Sequence, residues 1–366
     1  MSLGTTTVTI AGGGVAGLAA ATALARAGAR VSLYERAPAI TEVGAGLQIS
    51  SNGMRALGAL GLDHAVSRVA VASEGTRLID GLSNKPVLEI PASPGAVFVH
   101  RARLIEVLTL GASDAGARLV TGAEVAPDSA EGDVILGADG VRSAFRSTLN
   151  PGTEPKYSGQ VAWRAVIHDP NTPPVAEVYM GPGRHLVTYP LAGGLRNIVA
   201  CEDRNDWTAE GWAIEDRPMN LRAGFARFPD HVQAWLAQVH NVYLWGLFLH
   251  PVAERWTDGR MVLLGDAAHP TLPYLAQGAN LALEDAVVLA RALTTGDLEA
   301  YETHRRARAK AVVAAAAANA WKFHLANGLA RQAAFGALRL REAMSLGATG
   351  KSLSWVWNYD PVTAPL

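Results

Sequence analysis

Cysteine is almost absent: Cys201 is the one example in 366 residues, which excludes an internal disulfide framework and a Cys-rich metal cluster. That usage fits a reducing compartment, and the cytoplasm is the expected location. Charge of either sign is scarce and balanced, 32 Lys and Arg against 33 Asp and Glu, so the basic footprint that nucleic acid requires is missing. No hydrophobic run reaches the ~18 residues of a membrane-crossing helix. The longest tempting stretch, Ala311 to Ala318, is Ala-rich and bracketed by Lys310 and Lys322. The opening Met1 to Gly17 has no basic region, and Gly12, Gly13 and Gly14 break it where a signal peptide would be helical, so export by that route is not expected. The histidines show no metal-ligand spacing, and no Ser-His-Asp pattern suggests hydrolysis. What is present is apolar residues, 49% of the chain, enough to bury a large core in one α/β domain or two intimately joined ones. The expected partner is a small molecule, and the chain is read as a monomer or homodimer.

Thr6 to Ile10 is a short β-branched run, followed by glycines, a helix-forming stretch from Leu18 to Ala27, and Val31 to Tyr34: strand, Gly-rich turn, helix, strand. Apolar-polar alternation returns in Thr76 to Ile90 and Val161 to Val199, where Trp163, Val187, Tyr189 and Val199 favour antiparallel strands pairing as one sheet. Between them His100 to Gly111 reads as a helix and Asp133 to Leu136 as a strand closing on Gly137. Met261 to Leu264 reads as a further strand, followed by helices through about Arg341. Val312 to Ala320 is low in complexity and is expected as a tightly packed helix, not a repeat. The expected fold is α/β: a Rossmann-type nucleotide domain with a mixed-sheet substrate domain and C-terminal helices. The nucleotide domain takes residues 1–72, 98–156 and 259–366, and the substrate domain 73–97 and 157–258.

Gly12, Gly14 and Gly17 form G-x-G-x-x-G between a strand and a helix, so the backbone can approach a pyrophosphate at the helix N-terminus. Glu35 closes the second strand about 20 residues on, placed to accept from ribose hydroxyls. Together these indicate a dinucleotide, NAD or FAD. A second acidic site favours FAD. Gly265-Asp266 ends the strand Met261 to Leu264, where a carboxylate can accept from a ribityl chain, a part that NAD lacks. Gly278-Ala279-Asn280 then opens a helix, Leu281 to Leu293, whose positive N-terminal end would stabilise the charge of a reduced flavin.

Gly12 to Gly17, Asp139-Gly140 within Gly137-Ala138-Asp139-Gly140-Val141-Arg142-Ser143, and Gly265 to Pro270 resemble the three signature motifs of the para-hydroxybenzoate hydroxylase superfamily, the group A flavin monooxygenases. The similarity runs over nearly the whole chain. Gly44 to Ser50, Pro273-Tyr274 and Gln277 to Asn280 resemble most the branch of salicylate hydroxylase and 3-hydroxybenzoate 6-hydroxylase. The resemblance implies one FAD held non-covalently by Gly12, Gly14, Val15, Ala16, Gly17, Glu35, Arg36, Gln48, Arg101, Val125, Asp139, Gly140, Gly265, Asp266, Pro273, Gly278, Ala279 and Asn280. Within that set Glu35 goes to the adenosine ribose, Asp266 to the ribityl or pyrophosphate region, and Asp139 to both FAD and NAD(P)H. The plain alternative for Asp139 is a turn Asp before Gly140.

In such a family NAD(P)H reduces the flavin, O2 adds at flavin C4a, and the resulting hydroperoxide hydroxylates an electron-rich ring. The protein's part is positioning, water exclusion and electrostatics. Gln48, Tyr189 and Pro273 are the candidates beside the reacting ring. Each has a plainer reading: Gln48 as an exposed strand residue, Tyr189 as a core tyrosine, Pro273 as a helix-entry proline. The chain departs from the branch at one point. Where relatives often carry a His in Phe-His-Pro as phenol base, the segment Phe225 to Val232 has Pro229, and His231 lies two residues later, expected on an exposed helix turn. An epoxidase or ring-opening oxygenase of the same fold, an FAD reductase or desaturase that does not activate oxygen, and a catalytically silent flavin-binding protein remain as alternatives.

Overall fold

A computed structural model of the protein describes residues 3–40, 45–205, 214–320, 322–326, 328–345 and 347–366. Gly44 of the Gly44 to Ser50 segment lies outside the described residues.

The glycine turn belongs to a five-stranded, all-parallel sheet in the order Met261–Leu263, Val134–Gly137, Thr7–Ala11, Arg30–Glu35, Arg118–Thr121. A parallel sheet is covered on both faces, which is why its strands are so apolar. Val8, Ile10, Leu33, Leu136 and Leu263 share a core with the helices Val15–Arg26, Arg101–Asp114 and Gly278–Thr295. The first helix begins at Val15, three residues ahead of expectation, because the extended Gly14 serves as its N-cap. His100 caps Arg101–Asp114, its Nδ1 accepting from the Ala102 amide at 3.2 Å.

The second sheet has eight strands: Ile214–Asp216, Val242–Leu249, Lys156–His168, Leu195–Asp203, Arg184–Leu191, Val175–Gly181, Gly75–Asp80 and Pro86–Pro91. The two alternating stretches do meet in one sheet, but Gly75–Asp80 pairs with Val175–Gly181 in parallel, where antiparallel strands were expected. The two strands run the same way because long stretches of intervening chain re-enter the other sheet before the second is made.

Alternation gives this sheet two unlike faces. Trp163, Tyr179, Leu186, Ile198 and Ala200 point to its back, under the helices Pro218–Gly224 and Asp230–Ala237. Ala162, Cys201 and Trp245 point to its front and pack on Leu272 and Tyr274; Tyr189 and Leu191 do the same with Phe98. A small antiparallel sheet of Gly46–Ile49, Val97–His100 and Ala70–Ala72 lies between this front and the parallel sheet. Of the C-terminal helices, Leu298–Ala320 packs against Gly278–Thr295, whereas Gly328–Met344 inserts Phe335 against Leu78, Val87 and Leu88 of the second sheet.

Candidate active site

Two of the three fingerprint glycines are required by contact. A Cβ on Gly12 (φ 108°) would stand 2.3 Å from the Ala138 carbonyl oxygen, and one on Gly17 1.9 Å from that of Gly12. Gly14 has nothing within 4 Å, so its backbone is open to a ligand. Beside this turn the Glu35 carboxylate accepts from the Gly13 amide at 2.7 Å and the Ala37 amide at 2.9 Å. Each of its oxygens keeps a second lone pair for a ribose hydroxyl. The Ala123 amide donates to the Glu35 carbonyl at 3.1 Å, and this lays the segment carrying Val125 alongside the exposed Arg36.

Asp139 follows the strand Val134–Gly137, one residue from the Gly12 contact. Its Oδ2 accepts from the Ala144 amide at 2.8 Å, while Oδ1 is buried with no hydrogen-bond partner among the described residues. Burial pushes its pKa up against the opposing pull of Ser143 and Ala144. The half-buried Gly140 takes φ 81°, the turn conformation that suits glycine.

Gly265 (φ 61°) brings the other motif to the same place, since a Cβ there would stand 2.7 Å from that of Ala16. Asp266 is exposed to solvent on one side, yet the surrounding protein desolvates its carboxylate. That desolvation raises its pKa, with His269 and Arg101 pulling the other way. A Cβ on Gly278 would lie 4.0 Å from Asp266 Oδ1, so the carboxylate stands at the N-terminus of Gly278–Thr295, beside Ala279. Below it is a buried ionic core. Asp285 accepts from the Gly265 amide at 2.9 Å, from His269 Nε2 at 2.5 Å and from Arg305 Nε at 2.7 Å. Burial alone would raise Asp285, but His269 and Arg305 outweigh it and hold the carboxyl well below the usual range.

Asn280, expected at the cofactor through the peptide that opens the helix, also has a part within the protein. Its side chain is buried and engaged with protein: Oδ1 accepts from Ser50 N at 3.0 Å, and Nδ2 donates to Gln48 O at 3.0 Å and Ala276 O at 2.7 Å. Its side chain thus fixes the half-buried Gln48 and the left-handed Ala276 that ends the Pro273–Leu275 turn. Tyr189 is buried, stacked on Phe98 at 5.1 Å, and close enough to Gly46 that a Cβ there would meet its ring at 2.6 Å. Burial raises its hydroxyl pKa despite Arg164 and Asn197.

His231 is not on an exposed helix turn. It is half-buried at the back of the second sheet, its Nε2 2.9 Å from the Tyr179 hydroxyl, on the face opposite Tyr189. The structure adds two front-face residues that the motifs do not contain: Asn197, which holds the Gly46 amide at 2.7 Å, and Arg164, 4.2 Å over the Trp245 ring. Their signal was present only as polar residues at every second position of strands, which does not say what the face looks toward.

A family model described as FAD binding domain matches residues 5–134 and 128–316. The chain belongs to the FAD binding domain family. A 3-amino-4-hydroxybenzoate 2-monooxygenase of Streptomyces platensis is 35% identical, over 98% of this chain and 97% of that one. The 3-hydroxybenzoate 6-hydroxylase 1 of Aquipseudomonas alcaligenes is 33% identical over 77% and 79%. Among solved structures, a salicylate hydroxylase substrate complex superposes with a TM-score of 0.81 at 23% identity, over 97% of this chain and 96% of that one, a likeness of fold. The protein is therefore an FAD-dependent monooxygenase. The residues fit the cofactor: open backbone at Gly14, an unpartnered buried oxygen on Asp139 and an accessible carboxylate at a helix N-terminus. Among the described residues no helix is long and apolar enough to cross a membrane.

Proposed function

We propose that this enzyme hydroxylates a small aromatic acid, phenolic or N-heteroaromatic, with NAD(P)H and O2 as co-substrates. One observation carries the reading: the loop from Gly265 to Gly278 serves two surfaces at once. Its first part offers Asp266 beside the helix N-terminus, and its later residues Leu272 and Tyr274 pack on Ala162, Cys201 and Trp245 at the front of the second sheet. A flavin held at the first surface would lie against a ring held at the second.

Bound FAD supplies the redox chemistry, accepting hydride from NAD(P)H and activating O2. The chain supplies the rest. Glu35 is suited to the adenosine ribose, Asp139 and Arg101 to the polar middle of the cofactor, and Asp266 to its ribityl part. The N-terminal amides of Gly278–Thr295 favour negative charge at the flavin end. Arg164 puts a cation on the ring-facing side of the sheet, suited to a substrate carboxylate, while the apolar walls exclude water. Gln48 and Pro273 would border the ring, and Tyr189, locked under Gly46, would act as a wall.

The proposed domain division, 1–72, 98–156 and 259–366 against 73–97 and 157–258, is supported by the segments that feed each large sheet. A lone buried Cys201 accords with a cytoplasmic protein. The test is a screen of aromatic acids for accelerated NAD(P)H oxidation, with mass analysis of the product formed under labelled O2. Accelerated oxidation with no label in any product would favour a reductase.

A further inference from the structure

Three titratable side chains that the motifs do not explain run from the ring face of the second sheet to the surface. His185, on the front of Arg184–Leu191, has Nδ1 2.6 Å from Nε2 of His324, and His324 Nδ1 lies 2.5 Å from Oδ1 of Asp203. Exposure rises along the chain, from 2% for His185 and 5% for His324 to 48% for the Asp203 side chain. At the inner end the His185 ring lies 5.4 Å from that of Tyr274, the residue after Pro273, and is paired across the ladder with Cys201. At the outer end Gln160, Asp203, His324 and Leu272 line a pocket of about 460 Å³.

Gln160 sets the polarity of this chain. Its Oε1 accepts from the Tyr274 hydroxyl, which makes Nε2 the amide nitrogen; that group donates to Asp203 Oδ1 at 2.9 Å and lies 3.0 Å from His324 Nδ1. Two donors thus converge on one carboxylate oxygen, and His324 carries its proton on Nδ1. Its Nε2 accepts from His185 Nδ1–H, and Nε2 of His185 is left as an acceptor. Burial, reinforced by His324, holds His185 well below the ordinary histidine range. Burial would raise Asp203, but the hydrogen bonds from His324 and Gln160, with Arg184 nearby, hold it low and ionised. The other titratable neighbours stay protonated near neutrality: burial raises the Tyr274 hydroxyl and pushes the Cys201 thiol up to about 12. A buried imidazole of such low basicity cannot store a proton, but it can pass one on.

We propose that His185, His324 and Asp203 form a proton conduit that carries the hydroxyl proton of a bound phenolic substrate to solvent, the task left unfilled by Pro229 and His231. The proposal rests on the hydroxylase reading. The substrate O–H bond breaks as His185 Nε2–H forms. The Nδ1 proton of His185 passes to His324 Nε2, that of His324 Nδ1 passes to Asp203, and the carboxyl releases it to water. No electrons are transferred; the substrate is left as a phenolate, the electron-rich ring that hydroxylation needs. His185 is the catalytic residue, and His324 and Asp203 act through it.

FAD-loaded enzyme is mixed in stopped flow with 3-amino-4-hydroxybenzoate in weak buffer containing a pH indicator, and proton release is followed separately from binding, read as the change in flavin absorbance. Wild type should release a proton rapidly. His324→Gln should bind the acid with little change in affinity yet release the proton about 100-fold more slowly. His324→Ala should be slowed likewise and recover with added imidazole, which the pocket beside residue 324 can admit. Asp203→Asn, at the half-exposed end, should also be slowed. Wild-type release rates in the His324 variants overturn the conduit, and so does slow release that imidazole leaves slow, which marks a structural role. A wild-type holoenzyme that binds neither this acid nor any other phenolic or N-heteroaromatic acid removes the hydroxylase reading, and the conduit falls with it.

Discussion

The carboxylate of Asp285 accepts a hydrogen bond from the backbone amide of Gly265 at 2.9 Å, tying the helix Gly278–Thr295 to the turn that presents Asp266. The same side chain is paired with Arg305, and both are fully buried. Removing one member of such a pair leaves an uncompensated buried charge, at a cost of about 3 to 5 kcal/mol. Asp285→Ala should therefore lower the melting temperature sharply and loosen FAD as the turn shifts. A thermal melt followed by flavin fluorescence reads both, and an unchanged melting temperature would contradict the role.

Acid should act on the same carboxyl. The folded-state pKa of Asp285 is depressed below its ordinary 3.8, so its stabilisation is fully present above that value and is lost as pH falls through the folded pKa. The buried neutral His185 adds a loss in the same direction that begins higher. Its folded pKa lies below the ordinary 6.5, so the unfolded chain binds the extra proton first, and stability declines as pH drops below about 6.5. Denaturant midpoints for wild type and His185→Phe between neutrality and mild acid measure this; equal pH dependence in both would remove His185 as a source.

Asp266→Ala should weaken FAD retention more than Asp139→Ala. Asp266 is accessible at the helix N-terminus, whereas half of the Asp139 carboxylate is occupied by the Ala144 amide. A charge-assisted hydrogen bond lost here costs about 1.5 to 3 kcal/mol, roughly tenfold to hundredfold in affinity. Titration of the two apoproteins with FAD decides the order, and equal affinities would refute it.

His231→Ala should leave the hydroxylation step nearly unchanged, because the ring bonds to Tyr179 at the back of the sheet. The lost hydrogen bond is worth about 1 kcal/mol of stability. Single-turnover product formation isolates the step from flavin reduction. A drop of about 100-fold or more with FAD still bound would mean that this histidine reaches the substrate after all.

Cys201 is fully buried, and its thiol is pushed up to about 12, so almost no thiolate exists near neutrality. Alkylating reagents should label it only in denaturant. Stoichiometric labelling of the native protein, detected by mass analysis, would show that the front of the sheet opens to solvent.

The parts of this molecule that were legible in the sequence are those written locally. Gly12 and Gly17 mark a turn because no side chain fits there, Gly265-Asp266 ends an apolar strand, and Gly278 precedes an apolar helix. What escaped depends on distant pairing. Nothing near Gly75–Asp80 says that its neighbour is Val175–Gly181, or that the two run in parallel. The face taken by His231 follows from the docking of a short helix, which the spacing of Phe225, Pro229 and His231 does not encode. His324 sits in a single turn after an Ala-rich helix and meets His185 across 139 positions of chain. Asn280 lies in its motif, but its hold on Gln48 and Ser50 follows from two segments some 230 positions apart meeting in the fold.

The order of strands in the parallel sheet bears on how the chain is made. Thr7–Ala11 and Arg30–Glu35 pair almost as soon as both are synthesised, but the outer edge of Val134–Gly137 must wait for Met261–Leu263. While the intervening second sheet emerges, that apolar edge is open, and closing so long a loop is slow. A ribosome stalled before Met261 would hold a nascent chain with a sticky unpaired edge, one that a holdase chaperone would protect until the last strand arrives.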